Sequence, residues 1–207
     1  MIYGANAVDL QPARVEECLS VYAHSSYSPP PTSHYHEQSI NLGEIEMAVQ
    51  PTRKKDACDL LDADHKAVRA MFKEYETLVG SKAKRSIARK QELARDICAA
   101  LTVHATVEEE IFYPAVRAAI KAEDMLNEAE VEHASCKDLI AQIELSDIAD
   151  DRVDAKVTVL GEYVDHHVKE ERNEMFPKAR AARGLDLVAM RDVIEARKAE
   201  LMDEQTA

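Results

Sequence analysis

Apolar residues recur every three or four positions along most of the chain from about residue 54, which is the spacing of one face of an α-helix. Glycines, prolines and short polar stretches divide this pattern into segments. The predicted helices span about Lys54–Val79, Lys84–Tyr113, Glu123–Leu145, Arg152–Phe176 and Leu185–Asp203. Because the connections between the four long segments are short, the chain is predicted to be all-α: an antiparallel four-helix up-down bundle with a short C-terminal helix.

The predicted helix ends carry their own signals. Gly80 follows the first segment, and glycine is common just beyond a helix C-terminus. Pro114 is predicted to end or kink the second helix, which can also continue to Lys121, and Pro177 is predicted to close the fourth. The polar residues 146–151 supply N-terminal capping groups for the fourth helix.

Residues 1–50 lack the helical pattern. They contain Pro29, Pro30 and Pro31 within Ser-, His- and Tyr-rich sequence, a composition typical of a flexible extension. An alternative is that translation begins at Met47 and that the preceding residues are not made. The predicted organisation is therefore an N-terminal extension, 1–50, and a helical domain, 51–207, with the bundle at about 56–180 and the last helix at about 185–203.

Composition agrees with a helical protein, since the 207 residues include only 5 Gly and no Trp. The formal net charge of −13 argues against binding to nucleic acid or to an anionic membrane. No apolar run is long enough to span a membrane, and the first residues do not resemble a signal peptide. The four cysteines form no CxxC pair, so a reducing cytoplasm is predicted. They are Cys18, Cys58, Cys98 and Cys136.

Each of the four long helices carries one histidine on its apolar face. These residues are His65, His104, His133 and His167. Glu108 and Glu171 each follow a histidine by four positions, and side chains four apart stand above one another on a helix. Both His-x-x-x-Glu pairs are therefore predicted to face the bundle interior.

The second and fourth helices repeat one another. His104-x-x-x-Glu108 precedes Phe112-Tyr113-Pro114, and the second pair, with the same spacing, precedes Met175-Phe176-Pro177. The matched positions are separated by 63 residues (167 − 104 and 171 − 108). This repeat indicates two helix-pair halves, each of the form His … His-x-x-x-Glu.

Burying an ionised carboxylate in an apolar helix interface costs on the order of several kcal/mol unless a positive charge compensates it. The predicted interior contains two such carboxylates. Apart from the helix ends, no Lys or Arg occupies these apolar faces. A pair of divalent cations would neutralise the carboxylates, and imidazole with carboxylate suits iron, manganese or zinc. The pattern therefore predicts a two-metal centre.

The order of these residues resembles the hemerythrin-like cation-binding family, named for its His-His-Glu pattern, over about residues 56–180. The resemblance implies a non-haem centre of two iron ions with an oxo or hydroxo bridge. It implies that His65, His104, His133 and His167 are terminal ligands and that Glu108 and Glu171 bridge the ions. Members of the family bind dioxygen or related molecules in oxygen transport, oxygen or redox sensing, iron handling, and defence against peroxide or nitric oxide.

The chain departs from the oxygen-carrying members of that family at two positions. Lys137 stands where they have a further histidine, and Arg172 stands where they have an aspartate. The centre is therefore expected to have more open positions or to recruit another ligand, for which Tyr163 and Glu130 are candidates. Redox reactivity is favoured over reversible oxygen carriage.

Several other polar and aromatic residues are given structural roles. His166 lies about 100° from His167 around the helix and is predicted to be exposed or in the outer sphere of the centre. Glu109, Glu110 and Glu170 are predicted to lie on a solvated face. Cys136 and the Phe-Tyr-Pro and Met-Phe-Pro sequences are predicted to serve packing and helix termination.

A ferritin-like di-iron bundle does not fit, because Leu101 and Val164 occupy positions where Glu-x-x-His motifs need an acid.

Three functions stay open: a module that binds dioxygen or nitric oxide and acts as a sensor, an enzyme that turns over peroxide or nitric oxide, and an iron buffer. Iron buffering is weaker because the ligands suffice for only two ions. A metal-free helical scaffold is the last alternative. The sequence does not decide the oligomeric state or whether the protein is an enzyme.

Overall fold

The structure, a computed structural model, describes residues 53–148 and 150–206. The predicted flexible extension, 1–50, and the alternative start at Met47 lie outside these residues. Throughout the described part the chain is helical and contains no strand, which confirms the predicted all-α class.

The first two helices follow the prediction closely. Helix α1 spans Ala57–Leu78 and begins with a capping box. The Asp56 side chain accepts a hydrogen bond from the backbone N–H of Asp59, and the Asp59 side chain accepts one from the backbone N–H of Asp56. It ends before Gly80, whose φ of 75° is easily adopted only by glycine. Helix α2 spans Lys84–Val107.

Neither proline ends a helical segment. The chain leaves α2 through a π-helical turn, Glu108–Phe112, and continues as α3, Tyr113–Ala119. In this turn the backbone N–H of Tyr113 donates to the carbonyl of Glu108, five residues back. The proline comes immediately after the wider turn, at the start of α3, where a missing N–H is tolerated. The predicted continuation of the second helix is therefore confirmed.

The fourth helical segment has the same construction. Helix α4 spans Glu123–Glu144, and α5 spans Asp151–Glu170 after a side-chain cap from Asp150. A π turn, Glu171–Met175, then leads into α6, Phe176–Ala181. The prediction that Pro177 closes this segment is wrong, because the proline again begins a helix after a π turn. After Gly184, with φ 88°, helix α7 spans Leu187–Thr206.

Helix α1 packs against α2 and α5, and α4 packs against α5 and α2. These contacts and the short connections are consistent with the predicted four-helix up-down bundle. Helix α7 packs across α1 and α2. Within the described ranges 53–148 and 150–206, no helix is both long and apolar enough to cross a membrane.

The bundle interior contains two apolar clusters with a polar layer between them. Leu61, Phe112, Leu126 and Met175 belong to one cluster, together with Ile194 of α7. The second cluster is built from α1, α2, α4 and α5 and includes the side chains Leu101, Cys136, Ile140, Val164 and Val168. Each of the four helices that line the interior carries its buried histidine between residues of the two clusters.

At the far end of the second cluster lies a buried ion pair. Lys90 on α2 donates to both carboxylate oxygens of Asp154 on α5, at 2.8 and 2.9 Å. Tyr75 on α1 donates to the same carboxylate at 2.8 Å. These three residues tie α1, α2 and α5 together away from the histidines.

Candidate metal centre

Four histidines and two glutamates converge in the polar layer, and all six are at least 94% buried. The four imidazoles form two pairs with their Nε2 atoms facing each other. The Nε2 atoms of His65 and His104 lie 2.8 Å apart, and those of His133 and His167 lie 3.1 Å apart. The first pair comes from α1 and α2, and the second from α4 and α5.

Each glutamate reaches both imidazole pairs. The Oε2 atom of Glu108 lies 3.2 Å from His104 Nε2 and 3.4 Å from His133 Nε2. The Oε2 atom of Glu171 lies 3.3 Å from His65 Nε2 and 3.6 Å from His167 Nε2. The two carboxylates therefore lie between the pairs, as bridging ligands would.

Two overlapping groups of possible ligand atoms result, with the atoms of each group within 4.8 Å of one another. The first group is His65, His104, Glu108 and Glu171. The second is Glu108, His133 and His167. Because Glu108 belongs to both, the two groups form one continuous site.

The buried polar atoms of this site are incompletely satisfied. Both carboxylate oxygens of Glu108 and the Oε2 atom of Glu171 have no hydrogen-bond partner. An unpartnered buried carboxylate oxygen is costly, and a metal ion would satisfy it directly. Imidazole and carboxylate are ligands for iron, manganese and zinc. The residues present therefore fit a pair of such ions.

In the absence of metal, the histidines compensate the buried acids. Burial favours the neutral form of Glu108, but His104 and His133 outweigh it and hold the pKa of that carboxyl well below its ordinary value. Burial likewise opposes a charge on His104 and on His133. The nearby carboxylates prevail and raise the pKa of His104 to about 10 and that of His133 to about 9. Metal ions and protons would therefore compete for the same imidazole nitrogens.

Three of the four imidazoles have a carboxylate on their outer nitrogen. His104 Nδ1 lies 3.4 Å from Asp64, His133 Nδ1 lies 3.0 Å from Glu109, and His167 Nδ1 lies 2.8 Å from Glu132. A carboxylate accepts a hydrogen bond from Nδ1–H, and this tautomer leaves the Nε2 lone pair facing the interior for a metal. The Nδ1 atom of His65 is buried without a partner.

Sequence reasoning missed these outer carboxylates. Glu109 was expected on a solvated face, but it accepts from His133 and is held by Lys137 at 2.5 and 2.7 Å. Lys137 thus contacts His133 indirectly, through Glu109. Glu110 is exposed as predicted and pairs with Arg197.

Tyr113 is a further polar group at the site that the sequence pattern did not indicate. Its hydroxyl is buried, donates to Glu171 Oε1 at 3.1 Å, and lies 3.2 and 3.4 Å from the Nε2 atoms of His133 and His167. Burial and the two nearby glutamates raise the pKa of Tyr113 well above its ordinary value, so the hydroxyl keeps its proton in the metal-free protein.

The π turn explains this position. In a regular α-helix each residue advances by about 100°, so a residue five positions after another points about 140° away from it. In a π turn, the bond between residues five apart places Tyr113 close to the direction of Glu108. The Phe-Tyr-Pro sequence therefore contributes a polar group to the site and is not limited to packing and helix termination.

Neither of the two predicted additional ligands lies in the site. The side chain of Tyr163 is 45% exposed, because the interior stripe of α5 runs through Leu160, Val164 and His167. Glu130 is exposed and forms an ion pair with Arg117.

His166 and Arg172 also lie outside the buried layer. The side chain of His166 is 60% exposed, with its Nε2 atom 3.3 Å from Glu170 and 3.4 Å from Glu132. Arg172 pairs with Asp62 at 2.8 Å. Adjacent histidines on one helix thus have opposite environments.

A pocket of about 30 Å³ lies against all four histidines. Its remaining lining is mainly apolar and comprises Leu101, Ala105, Cys136, Lys137, Ile140, Val164 and Val168. This space exceeds the roughly 10–15 Å³ that a single water molecule needs by the same kind of measure. It can therefore hold a molecule of a few atoms.

Comparison with known proteins gives a family and a fold. The family model described as the hemerythrin HHE cation binding domain matches residues 56–179. Among solved structures, the chain is similar to a hemerythrin HHE cation binding domain-containing protein from Mycobacterium kansasii, a homolog of Rv2633c. The identity is 15%, the TM-score is 0.59, and the alignment covers 73% of this chain and 90% of that one. At this identity the likeness shows the fold alone. No curated protein matches the chain significantly.

Proposed function

The chain belongs to the hemerythrin HHE cation binding domain family, and on that premise we propose that it holds two iron ions that bind dioxygen, peroxide or nitric oxide. The physiological role that we propose is oxygen or redox sensing, or a response to oxidative or nitrosative stress. Manganese or zinc would suit the same ligands, so the metal must be identified by direct analysis.

The observation that carries this proposal is the position of each glutamate between two imidazole pairs. We assign His65 and His104 to one ion and His133 and His167 to the other, with Glu108 and Glu171 shared. Bound iron would supply electrons and an open position for a small ligand. The protein's own contribution is to exclude water and to hold the six side chains between two apolar clusters.

The pocket beside the histidines supports a small ligand. Its volume of about 30 Å³ suits a molecule of a few atoms, and its apolar walls favour uncharged molecules over anions. Dioxygen, nitric oxide and hydrogen peroxide meet both conditions.

A second candidate, an oxidoreductase that processes peroxide or nitric oxide, is favoured by Tyr113. Its hydroxyl donates to Glu171 and lies close to His133 and His167, which places a proton donor within 3.4 Å of three of the proposed ligands. A binding or sensing protein does not need such a donor, whereas reduction of peroxide consumes protons. Iron buffering is the weaker alternative, since the two buried ligand groups among the described residues share Glu108 and would hold two ions. A third group of possible ligands, Glu132, His166 and Glu170, is partly exposed.

The net charge and the cysteines bear on the partners and the location of the protein. We propose small molecules as the only partners, without nucleic acid or membrane, in line with the net charge of −13. A cytoplasmic location stays a prediction, with which the free, buried thiols of Cys58, Cys98 and Cys136 are consistent.

Metal analysis of freshly purified protein, with its ultraviolet–visible spectrum in air and after reduction, tests the proposal. We expect about two irons per chain, the number that the two ligand groups allow, and near-ultraviolet bands that bleach on reduction. His167→Ala should lose the spectrum and at least one iron. His166→Ala, a change at the neighbouring exposed position, should keep both. Protein that contains no iron and takes none up would refute the proposal.

Turnover separates the two candidate functions. An enzyme should consume peroxide or nitric oxide catalytically when loaded with iron, and His167→Ala should abolish the activity while His166→Ala keeps it. A binding protein should instead give one stoichiometric, reversible spectral change with dioxygen or nitric oxide.

A further inference from the structure

Helix α7 lies beyond residues 56–179, the part of the chain that the family model covers. It nevertheless covers one side of the candidate centre. Its Ile194 is fully buried in an apolar cluster. Two ion pairs also hold it: Arg197 donates to Glu110 at 2.8 Å, and Lys198 donates to both oxygens of Asp64 at 2.5 Å.

A cavity of about 180 Å³ lies between α1, α2 and α7. His65 and His104 form its inner wall, and Val68, Ala100 and Val103 are among its apolar lining residues. We call this cavity the α7 chamber. Its lining includes the exposed residues Ala67 and Met202, the latter 51% exposed, so the chamber extends from the protein surface to the buried histidines.

The α7 chamber and the small pocket are neighbours. His65, Leu101 and His104 line both cavities. The side chain of Leu101 is apolar and 8% exposed, whereas the two imidazoles are held by the centre. Leu101 is therefore the one shared side chain that can move without disturbing a proposed ligand.

We propose that the α7 chamber binds small uncharged molecules and delivers them to the metal centre past Leu101. The proposal rests on the function proposed above and adds to it a binding site and an access route. The ligand class is dioxygen, nitric oxide or another uncharged molecule of similar size. The chamber's mainly apolar wall disfavours ions, and Asp64 on that wall is paired with Lys198.

The chamber can be tested without metal by xenon binding, because apolar cavities of about 150 Å³ bind xenon. The probe is xenon itself, followed by ¹²⁹Xe NMR on full-length, metal-free protein. Ala100→Phe fills the chamber from its wall. Ala99→Phe is the matched control, since Ala99 is the preceding residue of α2, is also half-buried, and does not line the chamber.

Xenon affinity should fall at least about tenfold in Ala100→Phe, a change of about 1.4 kcal/mol. It should be unchanged in Ala99→Phe. Circular dichroism must show that both variants keep the wild-type helix content. Equal xenon binding by Ala100→Phe and wild-type protein would overturn the proposal.

Access is tested by stopped-flow binding of nitric oxide to the reduced, iron-loaded protein. Ala100→Phe should slow association about tenfold, and Leu101→Ala should accelerate it, because each changes the barrier along the route. Unchanged rates in both variants would overturn the access route even if xenon binds. If none of nitric oxide, dioxygen and peroxide binds the wild-type protein, the proposed function fails, while xenon still decides whether the chamber binds small uncharged molecules.

Discussion

Tyr113 and Phe176 occupy matching positions, each directly after a π turn that begins with a buried glutamate, but only Tyr113 carries a hydroxyl. That hydroxyl donates to Glu171 and lies close to His133 and His167. Phe176 instead stacks on His65, with ring centroids 6.1 Å apart and planes 6° from parallel. The two halves of the site are therefore alike in fold and different in chemistry.

Tyr113→Phe removes this hydroxyl and places a phenylalanine directly after both π turns. We expect the fold to persist, because the ring stays in place. Loss of a supporting hydrogen bond should lower metal affinity or turnover about 10- to 100-fold, as is usual for partners of metal ligands. Titration of the metal-free protein with iron(II) measures this change.

Tyr75→Phe is the matched control for that variant. Tyr75 is also buried, but its hydroxyl bonds Asp154 at the far end of the bundle. It should lower stability and leave iron binding unchanged. Equal iron affinity in Tyr113→Phe and wild-type protein, together with equal turnover, would show that the hydroxyl has no role at the centre.

Glu132→Gln should weaken the binding of the metal ion that we assign to His167. Glu132 accepts from His167 Nδ1 at 2.8 Å, and a neutral amide orients the imidazole less strongly and lowers its basicity. The expected loss in iron affinity is about 10- to 100-fold. Glu128→Gln, an exposed change one turn earlier on α4, is the control. The prediction is wrong if both variants bind iron like the wild type.

Metal should stabilise the fold strongly. A ligand that binds only the folded state adds about 2.7 kcal/mol when its concentration is 100 times its dissociation constant. Melting curves of metal-free and metal-loaded protein measure the gain. Glu171→Gln should remove most of the gain, because it takes away a buried carboxylate that lies between both imidazole pairs. Glu174→Gln, an exposed change in the same π turn, should retain it.

Stability should fall in acid through Asp154. Burial opposes ionisation of this residue, but the bonds from Lys90 and Tyr75 outweigh burial and hold its pKa below the ordinary 3.8. A carboxyl whose pKa is lowered by folding stabilises the protein above its unfolded-state pKa, and the stabilisation disappears as the pH falls through the folded-state value. The loss should therefore begin below about pH 5, near the start of the unfolded-state titration.

Asp154→Asn tests this assignment in urea unfolding of metal-free protein between neutral and acid pH. At neutral pH the variant should lose about 3–5 kcal/mol, because it leaves Lys90 buried without its partner. Its unfolding free energy should also depend less on pH than that of the wild type. Asp192→Asn, an exposed change on α7, should behave like the wild type. If Asp154→Asn has the same pH profile as the wild type, the acid sensitivity comes from other residues.

The helices and the interior histidines could be predicted because they follow from the 3.6-residue period alone. The stripe through Leu160, Val164 and His167 is buried as its spacing requires. Tyr163 stands four residues before His167, the same spacing as in the two His-x-x-x-Glu pairs, so this period does not by itself reject it. It lies about 40° beyond His167, at the edge of the stripe, and the packing leaves it 45% exposed.

The π turns could not be predicted from that period. With regular α-helical geometry, Tyr113 lies about 140° around the helix from Glu108, so its hydroxyl is expected elsewhere. Only the 63-residue repeat contained a usable signal. It aligns Tyr113 with Phe176, and these two side chains differ only by the tyrosine hydroxyl. The outer carboxylates were missed because Asp64, Glu109 and Glu132 acquire their role only when two helices pack together.

The sharing of Glu108 by both ligand groups has a consequence for how the site fills. If two ions bind as proposed, the first to arrive would fix a carboxylate that the second also needs, so the two affinities would be linked. Such linkage is reciprocal: the factor by which one ion alters the affinity for the other applies in both directions. The two imidazole pairs would then not act as independent half-sites, and a change made beside one pair would alter the affinity at the other.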